Sequence, residues 1–336
     1  MKIMKKYLKS LILLSIAMQF FVSQANAEVS EIKMAQQFGL LYVPLHVVLD
    51  KKLVEKHVKA LGLPEPSIKL FKISGGANIN KALLSNTIDF GSHGIGAAQK
   101  LWSKTNGRFK IAIGMADMPM KMLTTDKNIK TMEDYLKVSN HKIATPAAKV
   151  STQALILQMY AKKKYGDATK LDHMVISMKH PIAMNALLAG GQSVKTHFAT
   201  LPYSYQELQS GKVHQITDSY AIMGGQSTLL VMSTSQKFKD ENPKTYQAVL
   251  NAYDEAFAWI KANPVAAAEL YIKYSGTKLD PALVKAMLTD PKEIAFDPQP
   301  KNTLVFAEHL ASLGDIKMPE SWKDYYFENM HNLDGS

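Results

Sequence analysis

The sequence predicts an α/β protein made of two lobes, each a mainly parallel sheet flanked by helices. Three observations indicate this fold. Strand and helix patterns alternate twice in β-α-β order, residues 82–86 and 186–190 repeat an Ala-Leu-Leu helix end before a strand, and the chain after Asn242 is largely helical. Since a helical tail needs a sheet on which to pack, we expect one discontinuous lobe and one inserted lobe.

The first β-α-β unit follows the amino-terminal segment. Strands are predicted over 32–36, 67–73 and 87–90, and helices over 44–61 and 77–85. The helix over 44–61 carries apolar residues at the spacing of a half-buried helix. Gly91, Ser92, His93 and Gly94 are predicted to form the loop after the third strand.

The second unit repeats this order. Strands are predicted over 142–145, 173–177 and 195–199, and helices over 151–165 and 182–188, before a loop at 200–203. The chain is expected to cross between lobes near 116–125 and 224–232, and the apolar strand over 228–233 returns it to the first sheet. Helices over 243–263, 264–274 and 281–289 follow. The predicted first lobe is 28–120 with 226–336, and the second lobe is 121–225.

Residues 1–27 have the pattern of a cleavable export signal. Four lysines precede an apolar run over 11–22, and Ala25, Asn26 and Ala27 supply the small-residue pattern that a signal peptidase cuts after. The run is shorter than the roughly 20 residues that span a bilayer. We therefore expect a mature chain that starts at Glu28, outside the cytoplasm, and that is not a lipoprotein because it has no cysteine for lipid attachment.

Composition restricts the chemistry further. With no cysteine the chain has no disulfide, thiol nucleophile or thiolate metal site. The formal net charge is +11, but the lysines are spread evenly, which predicts a solvated surface and no nucleic-acid partner. Arg108 is the only arginine, so the bidentate guanidinium grip on a carboxylate depends on this residue alone. Its place in a polar turn before a strand favours an exposed role.

Sequence motifs of enzymes are missing. The chain has no Gly-x-Ser-x-Gly elbow, no His-Glu-x-x-His pair, no phosphate loop and no Gly-x-Gly-x-x-Gly fingerprint after a strand. The ten histidines lack metal-ligand spacing. We predict a binding protein with no catalytic residue, no cofactor and no metal.

Loops at the carboxyl ends of the strands are the expected ligand site, because in open parallel sheets these ends face one crevice. The loops are rich in glycine, serine and threonine, whose N–H groups and hydroxyls at helix amino ends favour an anion or polar oxygen. Ser151 and Thr152 equally suit a helix N-cap. His93 equally suits a structural role, and His46, His180 and His197 are assigned structural roles.

From residue 32 to about 275 the chain resembles the solute-binding proteins of nitrate/sulfonate/taurine ABC importers. The resemblance rests on FGLLYVPL at 38–45, the segment 52–56, ALLSNTIDFG at 82–91, and the segments 187–190 and 200–203. Family members commonly carry a glycine before the Ile-Asp strand, where this chain has Asn86 and Thr87. That turn lies far from the expected cleft, so we expect no effect on binding.

The resemblance implies the type 2 periplasmic binding protein fold, which closes on a solute and delivers it to a membrane permease driven by a cytoplasmic ATPase. The implied protein is periplasmic and monomeric. By motif position, the implied ligand-binding residues are Gln37, Phe38, Tyr42, Ser92, His93, Ser151, Thr152, Thr200 and Tyr203.

Several ligands and functions stay open at this stage. A sulfonate, nitrate or taurine-like anion is favoured by the polar loops and the basic charge. Phe38, Tyr42 and Tyr203 would also suit a thiamine-type pyrimidine or another heteroaromatic ring. An exported enzyme on the same scaffold would use His93 with Asp117, and a sensory or adaptor protein would report ligand to a membrane receptor.

Overall fold

The computed structural model describes residues 28–138, 140–191 and 194–336. The predicted export signal lies outside these residues. Within them, no helix has both the length and the apolar character needed to cross a membrane.

The described strands form two separate sheets. In chain order the strands are β1 (Glu31–Gln36), β2 (Ser67–Lys72), β3 (Phe90–Gly94), β4 (Phe109–Asp117), β5 (Lys121–Thr124), β6 (Ile143–Thr145), β7 (Val175–Ser177), β8 (Thr196–Ala199), β9 (His214–Asp218) and β10 (Thr228–Ser235). The first sheet has the order β2-β1-β3-β10-β4, and the second has the order β7-β6-β8-β5-β9. The predicted α/β fold of two lobes is confirmed.

Helices cover both sheets. In chain order they are α1 (Val43–Asp50), α2 (Leu53–Ala60), α3 (Gly76–Leu84), α4 (Ile95–Lys104), α5 (Thr152–Tyr165), α6 (His180–Leu188), α7 (Tyr203–Gln209), α8 (Ser219–Met223), α9 (Gln236–Glu241), α10 (Pro243–Ala262), α11 (Pro264–Ser275), α12 (Pro281–Thr289) and α13 (Thr303–Ser312). Helix α10 buries Tyr246, Val249 and Tyr253 and packs against α1 and α2. The helical tail therefore packs on the two helices between β1 and β2, as its lack of a sheet of its own predicts.

Strands that cross between the lobes run antiparallel to their neighbours. Strand β1 pairs in parallel with β2 and β3, whereas β10 lies antiparallel between β3 and β4. In the second sheet β6 pairs in parallel with β7 and β8, whereas β5 lies antiparallel between β8 and β9. The predicted return of the chain to the first sheet is correct, and the predicted residue limits of the two lobes stay a prediction.

Two predicted elements are wrong in detail. The helix expected over 44–61 is two helices, because Lys52 adopts the left-handed conformation (φ 51°) between α1 and α2. The third strand is at Phe90–Gly94, so His93 lies in a strand and not in a loop. Gly91 lets this strand approach α3 closely, since a Cβ at that position would lie 2.5 Å from the Ile79 side chain. Helix α4, which follows directly, was not predicted.

Candidate functional site

A cavity of about 70 Å³ lies between the loops of the two sheets. We call it the interlobe cavity. Residues from both sheets line it: Gln37, Phe38, Leu41, Tyr42, Ser74, Gly76, Gly94, Ala97, Pro146, Ala147, Val150, Ser151, Thr152, Gln153, Lys179, His180, Thr200, Leu229 and Leu230. The loops that follow parallel strands therefore meet at one place, as the α/β order predicts.

The loop after β1 supplies one wall. Gln37, Phe38 and Tyr42 all line the cavity. The Gln37 side-chain oxygen accepts a hydrogen bond of 2.8 Å from the backbone N–H of Gly75, which ties this loop to the start of α3. Tyr42 is buried, and its burial raises the pKa of the phenol, so the side chain stays neutral. This hydrogen bond joins the wall to a neighbouring helix start of the same lobe.

The amino end of α5 supplies the opposite wall. Ser151 is the N-cap, and its Oγ accepts a hydrogen bond of 3.3 Å from the backbone N–H of Ala154. Among the described residues, the backbone N–H groups of Thr152 and Gln153 have no partner. Ser151 can therefore cap the helix and line the cavity at the same time. Its side chain pairs with Ala154, and the N–H groups of Thr152 and Gln153 stay available to a ligand.

A second helix begins at the same cavity. Gly76 lines it at the start of α3, and the backbone N–H groups of Gly76 and Ala77 have no partner among the described residues. Two helix amino ends, one from each lobe, thus face one small space. The partial positive charge and the unpaired donors at such ends favour a negatively charged or strongly accepting group.

Formal charge in the cavity wall has a single sign. Lys179 is the only lysine or arginine among the described lining residues, and those residues include no aspartate or glutamate. The Lys179 side chain is exposed at the rim. A wall with one cation, no carboxylate and two helix amino ends is electropositive.

A chain of buried polar side chains leads away from this wall. His180 Nε2 lies 3.3 Å from Gln153 Nε2, and both side chains line the cavity. His180 Nδ1 lies 2.7 Å from His197 Nε2, and His197 Nδ1 lies 2.5 Å from Glu207 Oε1. Tyr203 stacks on the His180 ring with the ring centres 5.6 Å apart.

Burial sets the protonation of this chain. It raises the pKa of the Glu207 carboxyl to about 9, because Glu207 is 0 % exposed, and it lowers the pKa of His197 to about 3. The pKa of His180 is lowered well below its ordinary value by burial and by His197. Both imidazoles are therefore neutral. The sequence predicts structural roles for both histidines. The loop before α6 nevertheless follows a strand, and loops that follow strands are where a ligand is expected in a parallel sheet.

Three predicted site residues do not line the interlobe cavity. Ser92 and His93 lie in β3, and the His93 ring is fully buried, with Nδ1 2.8 Å from Asn80 Oδ1 and Nε2 2.8 Å from Ser233 Oγ. Both residues were expected in a loop because the third strand was predicted to end at Phe90, whereas it runs from Phe90 to Gly94. Tyr203 lines a neighbouring cavity, also of about 70 Å³, which shares Gln37, Phe38 and Tyr42 with the first.

Two further residues lie away from the cavity. Asp117 Oδ2 accepts a hydrogen bond of 2.8 Å from Lys301 Nζ, and the His93 ring contacts other partners, so the His93–Asp117 pair considered for an enzyme is not assembled. Arg108 is exposed, and its Nε donates to the Thr105 carbonyl at 3.3 Å. The only guanidinium of the sequence is thus outside the cavity wall, as its turn position predicts.

Comparison with known proteins places the chain in a family. The family model described as the NMT1-like family matches residues 25–273. A search of curated protein sequences finds no match.

Three solved structures with the same fold are described as binding proteins. The alkanesulfonate-binding protein SsuA from Xanthomonas axonopodis pv. citri, solved with MOPS, has a TM-score of 0.67 at 16% identity, covering 87% of this chain and 96% of that one. The nitrate-binding protein NrtA from Synechocystis PCC 6803 has a TM-score of 0.68 at 14% identity, covering 91% and 86%. The aliphatic sulphonate binding protein SsuA from Escherichia coli has a TM-score of 0.65 at 17% identity, covering 91% and 94%.

These likenesses confirm the two-lobed periplasmic binding protein fold. The matched family covers most of the chain, including both β-α-β units. The chain belongs to the NMT1-like family.

Proposed function

We propose that this protein binds a small anion in the interlobe cavity and delivers it to the permease of an ABC importer. One observation carries the proposal: helix amino ends from both lobes face a cavity whose described lining residues include Lys179 and no carboxylate. Unpaired N–H groups in such a setting hold anionic oxygens without a guanidinium. The matched sulfonate-binding and nitrate-binding structures support this class of ligand.

The apolar side chains of the cavity wall restrict which anions would fit. Phe38, Leu41, Leu229 and Leu230 face the same cavity as the helix amino ends. A cavity of about 70 Å³ has room for only a small ligand. A short-chain sulfonate or taurine-like molecule would place its oxygens at the helix ends and its carbon atoms against these side chains. Nitrate would use only the polar end.

Ligand-dependent closure is the proposed mechanism. Side chains from both lobes can touch the ligand only when the cleft is shut, so binding shifts the population toward the closed form. We assign ligand contact to Gln37, Phe38, Tyr42, Ser151, Thr152 and Thr200, which line the cavity. Ser92 and His93 would support the wall from β3. The permease would recognise the closed surface of an exported, periplasmic protein.

A thiamine-type pyrimidine or another heteroaromatic ring is the second candidate. The placement of Phe38 and Tyr42 in the cavity wall favours it, because both rings offer a face for stacking. A planar heterocycle would use the helix amino ends through ring nitrogen or carbonyl acceptors.

A direct binding screen tests the proposal. Purified mature protein would be heated with ethanesulfonate, taurine, nitrate, acetate and an aminopyrimidine, and each ligand that raises the melting temperature would be titrated calorimetrically. We expect a sulfonate or nitrate to bind, since a ligand at a hundredfold excess over its Kd adds about 2.7 kcal/mol of stability. Binding of the pyrimidine alone would favour the second candidate, and chemical turnover of any probe would overturn the binding role.

Delivery to a permease needs a separate test. Deleting the gene for the protein should abolish uptake of the bound solute, and a permease deletion should do the same. Uptake that survives without the protein would contradict its role as the importer's receptor.

A further inference from the structure

Two buried histidines connect a fully buried carboxyl to the interlobe cavity. Glu207 on α7 contacts His197 on β8, and His197 contacts His180 at the start of α6. His180 contacts Gln153, whose side chain lines the cavity. We call Glu207, His197 and His180 the Glu-His-His chain. Nothing in ordinary core packing requires a carboxyl in this place.

The Glu-His-His chain has two self-consistent proton arrangements. With Glu207 protonated, its O–H donates to His197 Nδ1, His197 Nε2–H donates to His180 Nδ1, and His180 carries its proton on Nε2. With Glu207 ionised, the direction reverses: His180 Nδ1–H donates to His197 Nε2, and His197 Nδ1–H donates to the carboxylate. The two arrangements differ by one proton.

The amide of Gln153 must follow the arrangement. When His180 Nε2 carries a proton, Gln153 turns its oxygen to that N–H, and the amide NH₂ faces the cavity. When His180 Nε2 is bare, the NH₂ donates to it and the amide oxygen faces the cavity. A half turn of the amide exchanges the two ends. The cavity wall is thus a donor in one arrangement and an acceptor in the other.

We propose that the Glu-His-His chain sets the hydrogen-bonding polarity of Gln153, so that an anionic ligand binds together with one proton on Glu207. The inference rests on the proposed function, because it requires the ligand to occupy the interlobe cavity. The ligand class that it selects is an anion that accepts a hydrogen bond from the Gln153 NH₂. At a pH above the range in which Glu207 is protonated, the Gln153 amide oxygen faces the anionic ligand, and the affinity falls.

Within the Glu-His-His chain, Glu207 is the side chain that gains or loses the proton. Burial raises the pKa of Glu207 to about 9 and holds both histidines neutral. From α6, the neighbouring Lys179 is exposed at the cavity rim. From β5, the Lys121 ammonium is bound to Glu293 at 2.5 Å, and Tyr203 of α7 presents its ring face to His180. Lys179 is therefore the other charged group beside the cavity, and its contribution is removed by substitution.

Calorimetry with ethanesulfonate tests the proton linkage. Titrations in buffers of different ionisation enthalpy should show little proton uptake near neutral pH and uptake approaching one proton at about pH 10. The affinity of wild type should fall about tenfold per pH unit above this range, whereas Glu207→Gln, which donates an N–H to His197 at every pH, should bind with flat affinity. Glu269→Gln, an exposed control, should behave as wild type. The contrast should persist in a Lys179→Gln background.

Nitrogen NMR of the histidine rings, without ligand, supplies an independent measurement. The rings of His180 and His197 should both move from Nε2–H to Nδ1–H as the pH rises through about 9, and both should stay Nε2–H in Glu207→Gln. Rings that titrate independently, or keep one tautomer throughout, would overturn the proposal, as would binding of ethanesulfonate with no proton uptake. Coupled tautomers in a protein that binds no anion would instead overturn the proposed function alone.

Discussion

The backbone N–H of Leu40 donates a hydrogen bond of 3.1 Å to the carbonyl oxygen of Leu201, which joins the loop after β1 to the loop after β8. These loops belong to different sheets. The preceding residue, Gly39, has φ 123° and ψ 170°, a backbone region open essentially to glycine, and a Cβ there would lie 3.2 Å from the same oxygen. The contact between the two lobes therefore depends on a residue without a side chain.

Gly39→Ala should weaken ligand binding. The added methyl group presses on the Leu201 oxygen across the two lobes and so disfavours the closed form, which should lower the affinity roughly tenfold. The backbone strain, about 1–3 kcal/mol, should lower the stability as well. Calorimetric titration with a ligand that binds wild type measures the loss. Gly62→Ala is the matched control, because Gly62 has φ 77° with nothing within 4 Å of its Cβ position. It should lose stability but keep its affinity, and equal affinity losses in the two variants would contradict the closing role of Gly39.

Lys179→Gln should lower the affinity for an anion several-fold. Lys179 is the only lysine or arginine among the described lining residues, but it is exposed at the rim, so solvent screens its attraction. The loss should shrink as salt is added. Lys163→Gln, which removes an exposed lysine from α5 of the same lobe, should change the affinity little. An effect of equal size in both variants would indicate a response to net charge and not to the cavity.

Lys301→Met should destabilise the fold by about 3 kcal/mol at neutral pH, because it leaves the buried Asp117 carboxylate without its 2.8 Å partner. Burial raises the pKa of Asp117, whereas Lys301 opposes that rise. Without the ammonium the pKa rises further, so the folded variant binds a proton more tightly than the unfolded chain does. Its deficit relative to wild type should therefore diminish as the pH falls.

Urea unfolding at several pH values measures the Lys301→Met effect. In the double variant Asp117→Asn with Lys301→Met the pH-dependent part should vanish. A deficit that is the same at every pH would show that Asp117 is not the group responsible.

Lys52→Gly should stabilise the protein by up to about 1 kcal/mol. Lys52 has φ 51°, a left-handed conformation that costs a residue with a side chain roughly 1–2 kcal/mol and costs glycine nothing, although glycine gains unfolded-state entropy. Lys51→Gly is the matched control, since Lys51 has φ −92° and glycine there should only destabilise. Thermal unfolding of both variants decides the point, and a destabilised Lys52→Gly would contradict it.

Much of the fold could be predicted because its signals are local and periodic. Ser151 as an N-cap and the prolines at 243, 264 and 281 mark helix starts that the structure confirms. The break at Lys52 could not be predicted, because apolar spacing continues across it and a lysine gives no turn signal. The third strand was misplaced because Gly91 looks like a chain break, although its missing side chain serves close packing on α3.

The candidate site was predictable where a loop follows a strand, as at Gln37 and Thr200, which both line the interlobe cavity. The Glu-His-His chain was not predictable, because its members come from three elements and meet only through folding. Nothing in the spacing of Glu207 and His197 distinguishes a buried pair from two unrelated residues.

The pairing of β10 with β4 has a mechanical consequence. Asp117 at the end of β4 is in register with Thr228 at the start of β10, so the two strands that lead to and from the second sheet are bonded side by side. Because the two connecting strands are bonded to each other, they must bend together about one axis. The two lobes should therefore rotate about one hinge axis, because the paired strands resist sliding and twisting. Residues on opposite sides of the cleft should then meet the same partners at every closure.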